Sequence, residues 1–195
     1  MLANRLNVLL AERQLSIKDV VTDTGISRNT ISNISNSPSA NIATDTIDRL
    51  CNYLEITPAN FFEYSPYLLK YNWTTSPYDN SPAVAVQVQN GQTELTHYVF
   101  PSVENTDQDI EVTLSADDLY ESLIIKLPVR FQKLIQATLF SLLEDFLLKQ
   151  SDLLTSNTFA DKTRINVQFD IMLNEGDGTH ARRSKQLDLD TKRFK

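Results

Sequence analysis

The chain has 195 residues, 41% hydrophobic and 22% charged, which is ordinary globular usage and argues against a disordered chain. No stretch approaches the ~20 uncharged apolar residues that span a bilayer, and the opening residues lack a charged-then-apolar leader, so a cytoplasmic protein with no membrane partner is expected. The single cysteine, Cys51, excludes an intrachain disulfide, and four glycines leave no room for a phosphate-cradling glycine loop.

The net charge of −7 is unevenly spread. Residues 1–65 carry five basic and seven acidic groups, residues 66–179 seven and sixteen, and residues 180–195 six and two. An acidic total argues against non-specific coating of nucleic acid, because phosphate neutralisation needs Lys and Arg. It leaves open a small local face that reads bases.

Leu2, Leu6, Leu9 and Leu10 fall at helical spacing and predict a first helix over 2–13. Ser16 with Asp19 three residues on is a capping-box pattern, with Asp in place of Glu, and opens a second helix over about 17–23. Gly25 suits the left-handed turn that ends it. Ile26 returns to the core, and Ser27 caps a third helix over about 28–35 with Ile31 and Ile34 inward. Its outward row is Arg28, Asn29, Thr30, Ser32 and Asn33. Asn, Ser and Thr are poor helix formers, so helix stability does not explain them. Their short side chains offer donors and acceptors, which is what a major groove presents. A polar helix in a small bundle without a ligand would show the same row. After a loop from Asn36, Thr44 is the expected cap of a fourth helix over 44–54, whose inner face is Ile47, Leu50, Cys51 and Leu54. Thr57-Pro58 starts a short fifth helix, closed by Phe61 and Phe62.

The run from Leu15 through Gly25 to Ile34, with Leu50 to Pro58 and Phe61-Phe62, resembles the lambda-repressor-like, Cro and Xre-type helix-turn-helix domain over about residues 2–64. The resemblance implies an all-α, five-helix DNA-binding head, usually dimeric on a palindromic operator. It implies base reading by Arg28, Asn29 and Asn33. It further implies contacts to backbone or bases from Ser16, Lys18, Ser27, Thr30, Ser32 and Asn36. Ile17 stands where the family often has Gln, and residues 36–43 contain no Lys or Arg, so phosphate clamping is thinner than in the family.

Residues 66–82, rich in Pro, Tyr, Asn and Ser, read as a linker after a 1–65 head. Two alternating runs around Asn90-Gly91, Ala83–Gln89 and Gln92–Phe100, predict a hairpin. Residues 110–114 suggest another strand. Ser115 is the expected cap of a helix over 116–126, and Pro128 opens a longer one reaching about Gln150. Arg164–Leu173 alternates as a last strand, and residues 176–195 read as a basic tail, either frayed or an auxiliary phosphate contact, with a short strand at 186–190. The expected fold of 83–175 is α+β with an antiparallel sheet and a long amphipathic helix, acting in dimerisation or regulation. The apolar surface of that helix is too wide for a simple surface helix. Two sites for it fit: the chain's own core, or a second subunit. The need of an operator-binding head for a partner favours the second, with Leu139, Phe140, Leu143, Phe146 and Leu147 at the interface.

No metal-ligand spacing is present, and no cofactor is expected. His97 reads as a half-exposed strand residue, and Cys51 as a small buried hydrophobe. The expectation is a non-enzymatic, sequence-specific regulator of transcription, a homodimeric repressor bound to duplex DNA. The alternative is a helix-turn-helix regulator whose main partner is a protein, in the manner of an antitoxin or anti-repressor. Titratable groups converging in a deep pocket would be the sign of an enzyme instead.

Overall fold

The computed structural model describes residues 1–105, 109–149, 163–174, 176 and 178–195. The chain divides into two compact units, Met1–Pro66 and Tyr67–Lys195.

The first unit contains α1 (Leu6–Glu12), α2 (Ile17–Thr24), α3 (Arg28–Asn36), α4 (Thr44–Leu54) and the single turn α5 (Pro58–Phe61). It is not all-α. Strand β1 (Leu2–Asn4) pairs antiparallel with β2 (Phe62–Tyr64), where the leucine spacing predicts the first turn of a helix. Spacing alone could not tell the two apart, because Leu2 is 56% exposed and does not share the inner face of α1. Asn4 decides the local structure. Its Oδ1 accepts from the Leu6 amide at 3.1 Å, and its Nδ2 donates to the Ser37 and Pro38 carbonyls at 2.9 and 3.1 Å. Leu6, Leu9, Leu10, Val20, Ile26, Ile31, Ile34, Leu50, Cys51, Leu54 and Phe61 fill the core. Cys51 is buried, and burial pushes its thiol pKa up, which suits a packing residue and not a nucleophile.

The second unit is a seven-stranded sheet in chain order: β3 (Leu68–Thr75), β4 (Pro82–Asn90), β5 (Thr93–Asn105), β6 (Ile110–Ser115), β7 (Arg164–Asn174), β8 (Thr179–Asp188) and β9 (Arg193–Phe194). The β4–β5 hairpin has the expected place, but its two loop residues are Gly91 and Gln92, since Asn90 already pairs with Thr93. Gly91 supplies the positive φ, +59°, that the first loop position needs. The sheet is mixed, not antiparallel, because β6 and β7 run parallel. A parallel pair requires a long crossover. Here it carries α6 (Asp117–Ser122), a 3-10 turn at Ile124–Lys126 and α7 (Val129–Lys149). Ser115 does not cap α6; Ala116 holds that position, with no side-chain cap. The expected end of the long helix at Gln150 lies outside the described residues.

The linker and the basic tail hold more strand than the single short one at 186–190 that the sequence predicts. Residues 66–82 contain β3, and residues 176–195 contain β8 and β9. Aromatic composition hid the first: Trp73 stacks on Phe146 of α7, centroids 5.5 Å apart. Charge hid the second: β8 carries Arg182, Arg183 and Lys185, whose partners lie on β7 and α7. Arg182 meets Asp170 at 3.0 Å, and Lys185 meets Glu144 at 2.6 Å.

Helix α7 corrects the proposed dimer surface. Leu139, Phe140, Leu143, Phe146 and Leu147 are all buried within their own unit, none more than 8% exposed. The apolar width has an internal cause. Trp73 from β3 covers Phe146, and the Arg183 guanidinium from β8 lies 4.5 Å from the centre of the Phe140 ring. Among the described residues, no helix is long and apolar enough to cross a membrane, and no cluster of His, Cys, Asp and Glu could hold a metal ion.

Candidate nucleic-acid interface

Local chemistry sets the α2–turn–α3 element. The capping box forms: Ser16 Oγ accepts from the Asp19 amide at 3.3 Å, and the Asp19 carboxylate accepts from the Ser16 amide at 2.8 Å. The Ser16 hydroxyl also donates to that carboxylate, at 2.7 Å, and this bond foremost, with the one from the Ser16 amide, holds the Asp19 carboxyl below its ordinary range. Gly25 ends α2 with φ +69°, in the left-handed region. Ser27 Oγ then accepts from the Thr30 amide at 3.1 Å and caps α3. Its other neighbour is the Thr30 hydroxyl, 2.9 Å away.

Ile31 and Ile34 plug α3 into the core, so its opposite side is fixed outward. Arg28, Asn29, Thr30, Asn33 and Asn36 are exposed, and Ser32 is half-buried. Ser16 and Lys18 are exposed at the start of α2, with the Ser16 hydroxyl already engaged by Asp19. Asn29, Thr30 and Asn33 line an open groove of about 500 Å³, whose far wall comes from Asn41 and Ile42 of the loop and Thr46 of α4. Arg28, Ser32 and Asn36 do not line it. Sequence reading does not single out Asn41 or Thr46. Thr44 is not the cap of α4 either. Ala43 takes that position with no side-chain cap, leaving the first amides of α4 beside the groove.

The five residues assigned to dimerisation belong to the core of the other unit and join no site. Two histidines do acquire partners there. His180 Nδ1 and Arg182 Nε both approach the Asp170 carboxylate, at 2.8 and 3.0 Å. His97 is 8% exposed, not half-exposed, and lies between Asp118 and Ser122.

No curated protein matches the chain. Among solved structures, the chain is similar to a "putative DNA-binding protein" from Bacteroides fragilis, with 27% identity and a TM-score of 0.30, over 32% of this chain and 100% of that one. Residues 5–67 match the family model of the Cro/C1-type helix-turn-helix DNA-binding domain. That match spans the capped helix pair and the exposed α3, and residues 5–67 are accordingly a helix-turn-helix domain of the Cro/Xre type.

Proposed function

We propose that the protein is a sequence-specific transcriptional regulator, a homodimeric repressor on a palindromic operator in the cytoplasm. The observation that carries this reading is the outward side of α3: amide and hydroxyl groups, exposed above two buried isoleucines, with a polar groove alongside. In this reading Arg28, Asn29 and Asn33 read base edges. Arg pairs bidentately with guanine and Asn with adenine. Ser16, Lys18, Ser27, Thr30, Ser32 and Asn36 contact backbone or bases, joined by Asn41, Thr46 and the uncapped start of α4, where a phosphate is favoured by free amides.

Two heads on successive major grooves sit about 34 Å apart. With α7 in the core, the second copy needs another surface. Strand β3, eight residues long at one edge of the sheet, supports pairing there; β9, at the opposite edge, has two residues.

The test is selection of bound sequences from a random duplex pool, then affinity on the selected site. A palindrome is the expected result. Asn29→Ala and Asn33→Ala should each cost ~1–3 kcal/mol on that site and little on random duplex. Equal losses on both would reject base reading by these residues. The protein-partner alternative draws on the loop at 36–43, which has no Lys or Arg, and it predicts no enriched sequence.

A further inference from the structure

The second unit holds a cavity of about 240 Å³, away from the features used above, lined by apolar Val88, Leu95 and Leu123 and by polar Asn90, His97 and Ser122. His97 and Ser122, distant in sequence, meet at it, and Asp118, outside the lining, holds the far nitrogen of His97. His97 comes from β5. Asp118 and Ser122 come from α6, four residues apart and so on one helix face. His97 Nδ1 lies 2.7 Å from Asp118 Oδ2, and His97 Nε2 lies 3.4 Å from Ser122 Oγ. With the ring proton on Nδ1, that nitrogen donates to the carboxylate, and Nε2 is left to accept from the hydroxyl. The hydroxyl proton has a second acceptor, the Leu119 carbonyl at 3.5 Å. A histidine that only tied β5 to α6 would be satisfied by Asp118. The hydroxyl on its other nitrogen and the adjoining cavity need a further account.

We propose that Ser122, His97 and Asp118 form an acyl-transfer site that hydrolyses a short-chain ester. Hydroxyl, imidazole and carboxylate stand in the order of nucleophile, base and positioning group. Ser122 Oγ bonds to the acyl carbon while His97 Nε2 takes the hydroxyl proton. The ester C–O bond breaks, and the alcohol leaves with that proton. Water then attacks the acyl-serine, His97 again takes and returns a proton, and the carboxylic acid departs from free Ser122. Val88, Leu95 and Leu123 receive the acyl chain. The volume falls below the roughly 300–1,000 Å³ of sites for drug-sized ligands, which selects a short one. Asn90 brings an amide to the same cavity, a donor of the type that stabilises an oxyanion.

The test uses the full chain, a fluorescent fluorophosphonate and p-nitrophenyl butyrate. One phosphonate per chain should map to Ser122. Ser122→Ala should abolish labelling and reduce butyrate hydrolysis at least tenfold, with an unchanged circular-dichroism melt. His97→Gln should slow labelling at least tenfold, and His180→Ala should leave it unchanged. Asp118→Asn should lower kcat at least tenfold with KM within twofold, and Asp118→Glu should recover part of the loss. Absence of labelling, labelling elsewhere, or hydrolysis that survives Ser122→Ala overturns the proposal. Ser122→Ala decides the matter even where His97→Gln fails to fold.

Discussion

Asn4 shows what a single buried amide does in the head. It is 2% exposed, ties the start of α1 to the chain leaving α3, and makes three hydrogen bonds through its side chain. Removing it strands the buried Leu6 amide, while the Pro38 and Ser37 carbonyls keep the amides of residue 4 and Ala40. Asn4→Ala should therefore destabilise the head by about 1–3 kcal/mol, read from urea unfolding. It should weaken DNA binding as well, because the carbonyls it holds follow directly on α3. Nothing in the sequence marks Asn4, which looks like a polar interruption in a leucine-spaced run. Ser16, Gly25 and Ser27 are the opposite case. Each acts on neighbours within three or four residues, so its role is written in the local sequence and the structure places it there. His97 belongs with Asn4. Its partners are 21 and 25 residues away, and no spacing rule joins them.

At the scale of elements, legibility follows the same division. Periodicity located α2, α3, α4, α7 and the β4–β5 hairpin, because each buries a face of its own. It could not say what α7 buries that face against. Strand β3 alternates half-buried and exposed residues, but its Tyr and Trp read as linker aromatics until Phe146 is seen beneath Trp73. Burial also pushes the Tyr71 hydroxyl pKa far up, as a side chain packed into an edge strand requires. The parallel pairing of β6 and β7 follows from the two helices that separate them, whereas the Asn-Gly hairpin signal points only to antiparallel neighbours. This assignment of α7 to the core carries a prediction. Phe146→Ala opens a cavity beneath Trp73 and should destabilise the second unit by about 3–5 kcal/mol. Trp73 is the single tryptophan of the chain, so its emission reports that unit alone. Sedimentation should show the same oligomeric state as the parent chain. A changed state would return α7 to the interface.

For the whole molecule, the decisive quantity is where positive charge is free to meet phosphate. The head has only Arg5, Arg13, Lys18, Arg28 and Arg49, and the loop after α3 has none. Of the six cations at 180–195, four are turned to carboxylates of their own unit, and Lys192 and Arg193 are exposed. Arg182 is turned to Asp170, Arg183 and Lys185 to Glu144, and Lys195 to Asp188, at 2.6–3.9 Å. Surface pairs of this kind add little stability, but they turn Arg182, Arg183, Lys185 and Lys195 toward their own unit. The composition suggests a frayed tail or an auxiliary phosphate contact; the strand pairing orders the stretch, and ion pairs engage four of its cations. Each neutralised phosphate contributes about −0.9 to the slope of log affinity against log salt. If the five head cations alone meet phosphate, they cap the slope near −4.5 for one head, and near −9 for two. Binding to the selected operator should fall within that limit across a salt titration. Lys18→Ala should make the slope shallower by about 1 per head, uniformly across sequences. Arg182→Ala should leave it unchanged. A steeper slope would put cations of residues 180–195 on the duplex, and one that Arg182→Ala flattens would reverse the assignment made from the Arg182 ion pair.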